Sequence, residues 1–179
     1  HKFHGPKGIG MLYKRSGLTL KPMIDGGSQE RGIRSGTENI YGIAGFAKAL
    51  EIAARDMEQY HLKTEQLRDR LVDGIRGILP ETRLLGDAEH GLYNMANLVF
   101  PKAKAGGMLA QRLDIEGVAV SGGSACSSGA SGKSPIAELL GVTDDEENIR
   151  ISLSRFNTDD EADRFIAIFQ GLIDQLPGW

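Results

Sequence analysis

From Ile40 onward, apolar residues recur at helical spacing: Ile43, Ala47, Leu50 and Ala54, then Leu67, Leu71, Ile75 and Ile78. The pattern predicts one long helix, or two joined near Tyr60, ended by Pro80. Such a helix can link two domains, with a boundary within 55–65. Ahead of it, GIGMLYK over Gly8–Lys14 reads as a strand with Leu18–Met23 as its partner. The glycine-punctuated DGGSQERGIRSGT from Asp25 to Thr37 reads as a long loop. Behind the helix the pattern alternates. It predicts a strand over Asn97–Phe100, a helix over Gly107–Ile115 and a strand over Val118–Ser121. Ser134 as N-cap and Pro135 at the first helical position open a short helix that Gly141 ends, and Ile149–Leu153 is a strand. The last helix has the clearest start: Thr158 and Glu161 form a capping box, and Asp159 and Asp160 complement the helix dipole. Ala162, Phe165, Ile166, Phe169, Leu172 and Ile173 make its apolar face. From about residue 60 the chain reads as an α+β unit with helices on a small sheet, and no repeat or low-complexity tract is visible.

Composition narrows this only slightly. The 179 residues suit one domain, or one domain and part of another. A hydrophobic content of 40% with 25% charged residues is ordinary for a globular protein. The net charge of -3, with interspersed signs, announces no nucleic-acid or membrane surface, and no apolar run reaches membrane-span length. A single cysteine fits a reducing compartment, and no signal-peptide pattern opens the chain, so a cytoplasmic location is expected. The chain opens on His1, straight into a glycine-rich stretch, and is expected to have been cut from something longer.

The single thiol, Cys126, lies in SGGSACSSGASGKS over Ser121–Ser134. Structural cysteines sit among apolar neighbours. These neighbours are small and polar, so the segment is expected to be mobile and the sulfur to do chemistry. There is no H-E-x-x-H for a zinc protease and no G-x-S-x-G at Ser124 for a serine hydrolase. At the other end, HKFHGPKGIG sets Lys2 beside His1 and near His4; alone, a lysine-rich turn entering a strand would look the same.

Taken in order, HKFHGPKGIG, the RSGTEN of Arg34–Asn39 and the SGGSACSSG around Cys126 resemble the pyridoxal 5'-phosphate-dependent cysteine desulfurases of the class V aminotransferase-like group, in the subgroup with a long cysteine loop. The resemblance runs on through SLSRF at Ser152–Phe156. It implies an α/β fold of the PLP-dependent transferase type (fold type I). Residues 1–58 would be the end of the large cofactor domain with the start of the linking helix, and 59–179 the small C-terminal α+β domain. It also implies roles. Lys2 would be the Schiff-base lysine, with His1 beside it at the cofactor phosphate. Thr37 would reach the phosphate of a neighbouring subunit's cofactor, which makes a homodimer. Arg155 would clamp the substrate carboxylate, and Cys126 would accept the sulfur. Thr37 could equally cap the helix near Glu38, Arg155 at a strand end also reads as a surface charge, and His4, Arg31 and Arg34 stay open. The implied reaction converts L-cysteine to L-alanine and an enzyme persulfide, which passes to a sulfur-acceptor protein such as an iron–sulfur scaffold or a tRNA-thiolation enzyme. In the family the phosphate cradle, the acid on the pyridine nitrogen and the stacking aromatic all precede the lysine. The chain is therefore expected to be a C-terminal portion, inactive in isolation, with residues 1–38 poorly packed. Alternatives are a selenocysteine lyase, a class V aminotransferase (although transamination needs no thiol) and a sulfur-carrier or interaction module.

Overall fold

The computed structural model describes residues 1–87, 90–122 and 135–176. The chain divides into two units, His1–Glu58 and Gln59–Trp179.

In the first unit the predicted strands over Gly8–Lys14 and Leu18–Met23 do not form. A strand exists only through a hydrogen-bonded neighbour. The two segments do not pair with each other, and Met11, Leu12 and Tyr13 are exposed. The polar stretch after them is a loop, as expected, interrupted by a 3-10 turn at Gln29–Gly32. Buried Ser35 closes it: its Oγ donates to the Gly27 carbonyl at 2.8 Å, and Gly36 N–H donates to Gln29 Oε1 at 3.2 Å.

Helix α1 spans Ile40–Ile78 as one continuous element. Asn39 caps it, its Oδ1 accepting from Gly42 N–H at 3.0 Å, so Thr37 is not the cap. The helix stops two residues before Pro80, as the sequence requires. In the first unit its packed side is not the stripe read from the sequence. Ile43, Ala47, Leu50 and Ala54 are exposed, whereas Phe3 meets Phe46 edge-on with ring centroids 5.0 Å apart. Pro6 lies over Gly45, where a Cβ would come within 3.1 Å of its ring.

The second unit is built on an antiparallel sheet of β1 (Arg83–Leu84), β2 (Met95–Pro101), β3 (Ser121–Gly122) and β4 (Glu146–Ser152), in the order β1-β2-β4-β3. The β2/β4 ladder runs from Met95↔Ser152 to Pro101↔Glu146. Period-two alternation turns Ala96, Leu98 and Phe100 to one face and Val99 to the other. The first face carries the main core. Against it pack Leu67, Leu71 and Ile75 of α1, Leu109 and Leu113 of α3 (Leu109–Ile115), and Phe165, Phe169 and Leu172 of α5 (Asp159–Asp174). Each such side chain contributes about 1.5–3 kcal/mol on burial. On the opposite face a smaller cluster joins Val99 and Leu85 to Ala137 and Val142, which seats α4 (Pro135–Leu139). A single turn of helix, α2 (Lys102–Ala105), follows β2.

One detail corrects the sequence reading. The strand expected over Val118–Ser121 is confined to Ser121–Gly122. The Val118 amide donates to Leu113 O at 2.9 Å and the Gly117 amide to Asp114 O at 2.9 Å, closing α3 through a left-handed Gly117 (φ 78°). Val118 is thus spent on the helix end. The same closure recurs after α4, where Gly141 and Val142 donate to Glu138 and Ala137. The expected N-cap of α4, Ser134, lies outside the described residues.

Candidate functional site

The turn between β4 and α5 carries Arg155, and a chain of hydrogen bonds sets its shape. Asn157 Oδ1 accepts from Ser154 N–H at 2.8 Å and from Ser154 Oγ at 3.3 Å, while Phe156 N–H donates to Ser154 Oγ at 3.3 Å. The Asn157 amide group donates onward to Glu161 Oε2 at 2.9 Å. That oxygen also accepts from Thr158 N–H at 3.0 Å, and Thr158 Oγ1 accepts from Glu161 N–H, which completes the predicted capping box. The Asn157 side chain, and after it the Thr158 amide, holds the Glu161 carboxyl below its ordinary range. From α1, Lys63 Nζ donates to the Arg155 carbonyl at 3.0 Å. Both ends of the turn are therefore fastened.

The guanidinium itself meets no carboxylate among the described residues. Its Cζ lies 4.9 Å from the centroid of the Tyr60 ring and 4.8 Å from that of Phe156. Its Nε is buried without a hydrogen-bond partner. Two other arginines of this unit show the contrast, since Arg83 binds Glu146 at 2.9 Å and Arg70 binds Asp163 at 2.6 Å, whereas Arg150 shares a buried, unpartnered Nε. A half-buried cation with aromatic company, and no carboxylate beside it among the described residues, has the chemistry to take up a carboxylate.

The other predicted residues fall elsewhere. His1 and Lys2 are exposed at the start of the first unit, where His4 N–H donates to His1 O at 3.0 Å and closes a turn with His4 at φ 67°. Phe3, seated on Phe46, anchors the stretch next to Lys2. Thr37 is exposed two residues ahead of the Asn39 cap. Arg34 donates to Ser35 O at 2.7 Å, and Arg31 is exposed with φ 59°. Cys126 lies outside the described residues; the strand leading to it, β3, pairs with Arg150 and Ile149 of β4. So His1, Lys2 and Thr37 belong to the first unit, and Arg155 to the second.

Sequence reasoning missed Tyr60, Lys63 and Asn157. For Tyr60 a signal existed. It stands seven residues before Leu67 and eleven before Leu71, two and three turns up the buried stripe of α1, with buried Thr64 between.

The family model for "Aminotransferase class-V" matches residues 1–165. The chain is 42% identical over 178 residues to a cysteine desulfurase of Cereibacter sphaeroides, covering 98% of this chain and 45% of the relative. It is 39% identical, with 98% and 44% covered, to the cysteine desulfurase NifS of Azotobacter vinelandii. Among solved structures, a NifS-like protein matches with a TM-score of 0.80 at 35% identity, over 98% of this chain and 45% of that one. The chain thus spans less than half the length of the curated relatives it matches. The expected α/β architecture of fold type I agrees with that structural likeness. No helix among the described residues is long and apolar enough to cross a membrane. Matched by the family model over most of its length, the chain belongs to the class V aminotransferase family.

Proposed function

We propose that the chain is the part of a cysteine desulfurase that carries the anchoring amine, the carboxylate clamp and the sulfur-accepting thiol. The observation that carries this reading is Arg155, a cation held by a fastened turn and two aromatic rings with no carboxylate beside it among the described residues. The names of the relatives support it. Pyridoxal phosphate fits the residues present. Lys2 is an exposed primary amine, and Thr37 is an exposed hydroxyl beside the N-terminus of α1, where the dipole favours a phosphate. Lys2 would hold the cofactor, with His1 and the Thr37 hydroxyl (reaching across a homodimer) at its phosphate end. When bound, the cofactor supplies the electron sink that loosens the Cα–H and Cβ–Sγ bonds of L-cysteine.

The chain's own residues then divide the work. Arg155 fixes the substrate carboxylate through a two-nitrogen edge. The Lys2 amine moves the Cα proton. The Cys126 thiolate attacks the substrate Sγ: an S–S bond forms, the Cβ–Sγ bond breaks, and Cβ takes up a proton. The products are L-alanine and a Cys126 persulfide, whose outer sulfur passes to an acceptor protein. A persulfide carrier of this kind suits a reducing, cytoplasmic setting. The test is Cys126→Ser in the whole protein that carries these residues. L-alanine release and persulfide formation fall to background while cofactor absorbance stays; turnover at the wild-type rate overturns the reading.

A further inference from the structure

Tyr60 has no part in the reaction above, yet it is the one residue of α1 whose ring lies over the Arg155 cation. We infer that Tyr60 is a positioning residue, which with Phe156 selects the edge of the Arg155 guanidinium that a substrate carboxylate can use. The inference rests on the reading of Arg155 as the carboxylate clamp. A guanidinium offers a carboxylate two alternative forks, one between the two Nη groups and one between Nε and an Nη. Here Nε is buried and unpartnered, so the second fork is closed to an incoming ligand. Two rings within 5 Å of Cζ set the inclination of the guanidinium plane. The Lys63 bond to the Arg155 carbonyl fixes the backbone from which the side chain departs. Only the outer Nη edge remains, and a carboxylate docks on it end-on.

The site is thereby narrow in its chemistry. It takes a planar anion with two oxygens in one plane, which an α-amino acid presents at its carboxylate. Tyr60 acts through Arg155 by its aromatic face, which Tyr60→Phe retains.

The experiment is a titration of the whole protein that carries these residues, arginine-labelled, with L-alanine, followed by NMR at the Arg155 side chain, with a thermal melt of each variant as the folding control. In the wild type the Arg155 δ-protons carry a ring-current shift, and L-alanine moves the Nη signals far more than Nε. Tyr60→Phe preserves both features. Tyr60→Leu removes the Tyr60 share of the ring-current shift and weakens L-alanine binding about five-fold, the scale of one partly desolvated cation–π contact. Phe156→Leu, at a ring 67% exposed and outside the core, does the same for its own share and serves where Tyr60→Leu fails to fold. Arg155→Lys separates the two claims. If it abolishes binding while both Leu variants bind like wild type, the positioning role is overturned and the Arg155 clamp stands. If Arg155→Lys binds like wild type, or if wild-type Arg155 signals ignore L-alanine, the clamp fails and this inference with it. A ligand response confined to Nε overturns the edge selection.

Discussion

Arg155 and Glu146 show how far a single charge depends on its immediate company. Arg155 meets no carboxylate among the described residues, and on the proposed reading it receives one from the substrate. Arg155→Ala in the whole protein is expected to raise KM for L-cysteine by at least about ten-fold, a charge-assisted pair being worth roughly 1.5–3 kcal/mol; steady-state kinetics measure it. Glu146 is the opposite case. Arg83 grips both its oxygens, at 3.2 and 2.9 Å, and Thr143 N–H adds a third bond at 2.9 Å. Those contacts, the Arg83 side chain first, lower its pKa from 4.5 to about 2. A carboxyl whose folded pKa lies below its unfolded one stabilises above the unfolded value and loses that contribution as pH falls. The loss here runs from about 4.5 down to about 2. Glu146→Gln is therefore expected to be less stable than wild type at neutral pH and to lose less stability between those limits, as urea titrations at stepped pH will record. Its neighbour Glu147 goes the other way: burial raises its pKa, against the Leu109 amide that it accepts from at 3.0 Å. Its contribution is present in acid and fades as pH rises through the raised value.

Helix α5 is the element most legible in the sequence, because everything that starts it is local. Thr158→Ala removes one half of the capping box and is expected to cost about 1 kcal/mol, read from the shift in urea midpoint at constant slope. The apolar periodicity of α1 was legible as helix, with one helix or two left open near Tyr60, and the strands β2 and β4 only as the shorter apolar runs Asn97–Phe100 and Ile149–Leu153. What was not legible depends on partners. Two-residue β1 exists only because Leu98 and Val99 lie in register with it. Gly8–Lys14 has strand composition but no partner strand among the described residues. Val118 has strand character, yet its amide is claimed by α3. The candidate site divides in the same way. Arg155 and Cys126 were found through ordered motifs, whereas Tyr60 becomes visible only once α1 and the β4–α5 turn are placed in space.

Across the whole molecule the two units carry unequal protection. The second unit holds the main core on one face of the sheet and a smaller cluster on the other, with Phe100, Phe169, Ile75 and Leu98 fully enclosed. In 1–38, Met23 is 99% exposed and Tyr13 83% exposed. Brief trypsin treatment is expected to cut at Lys14, Arg15, Arg31 or Arg34 well before any site in β4 or α5, with mass spectrometry to map the fragments. Hydrogen exchange should find its slowest amides in β2 and β4. Early cleavage within β4 would show that the sheet is not the stable centre.

Asn157 gives a lesson in how mutational data on this protein are to be interpreted. One carboxamide accepts from Ser154 with its oxygen and donates to Glu161 with its nitrogen. A survey of variants by cellular abundance would class it as a helix-start residue, and, on the proposed function, a survey by sulfur transfer would class it with the site; both labels would describe the same two bonds. Rescue separates them. A stabilising change placed elsewhere, in the Val99–Ala137 cluster for example, should restore the abundance of Asn157→Ala without restoring its affinity for L-cysteine.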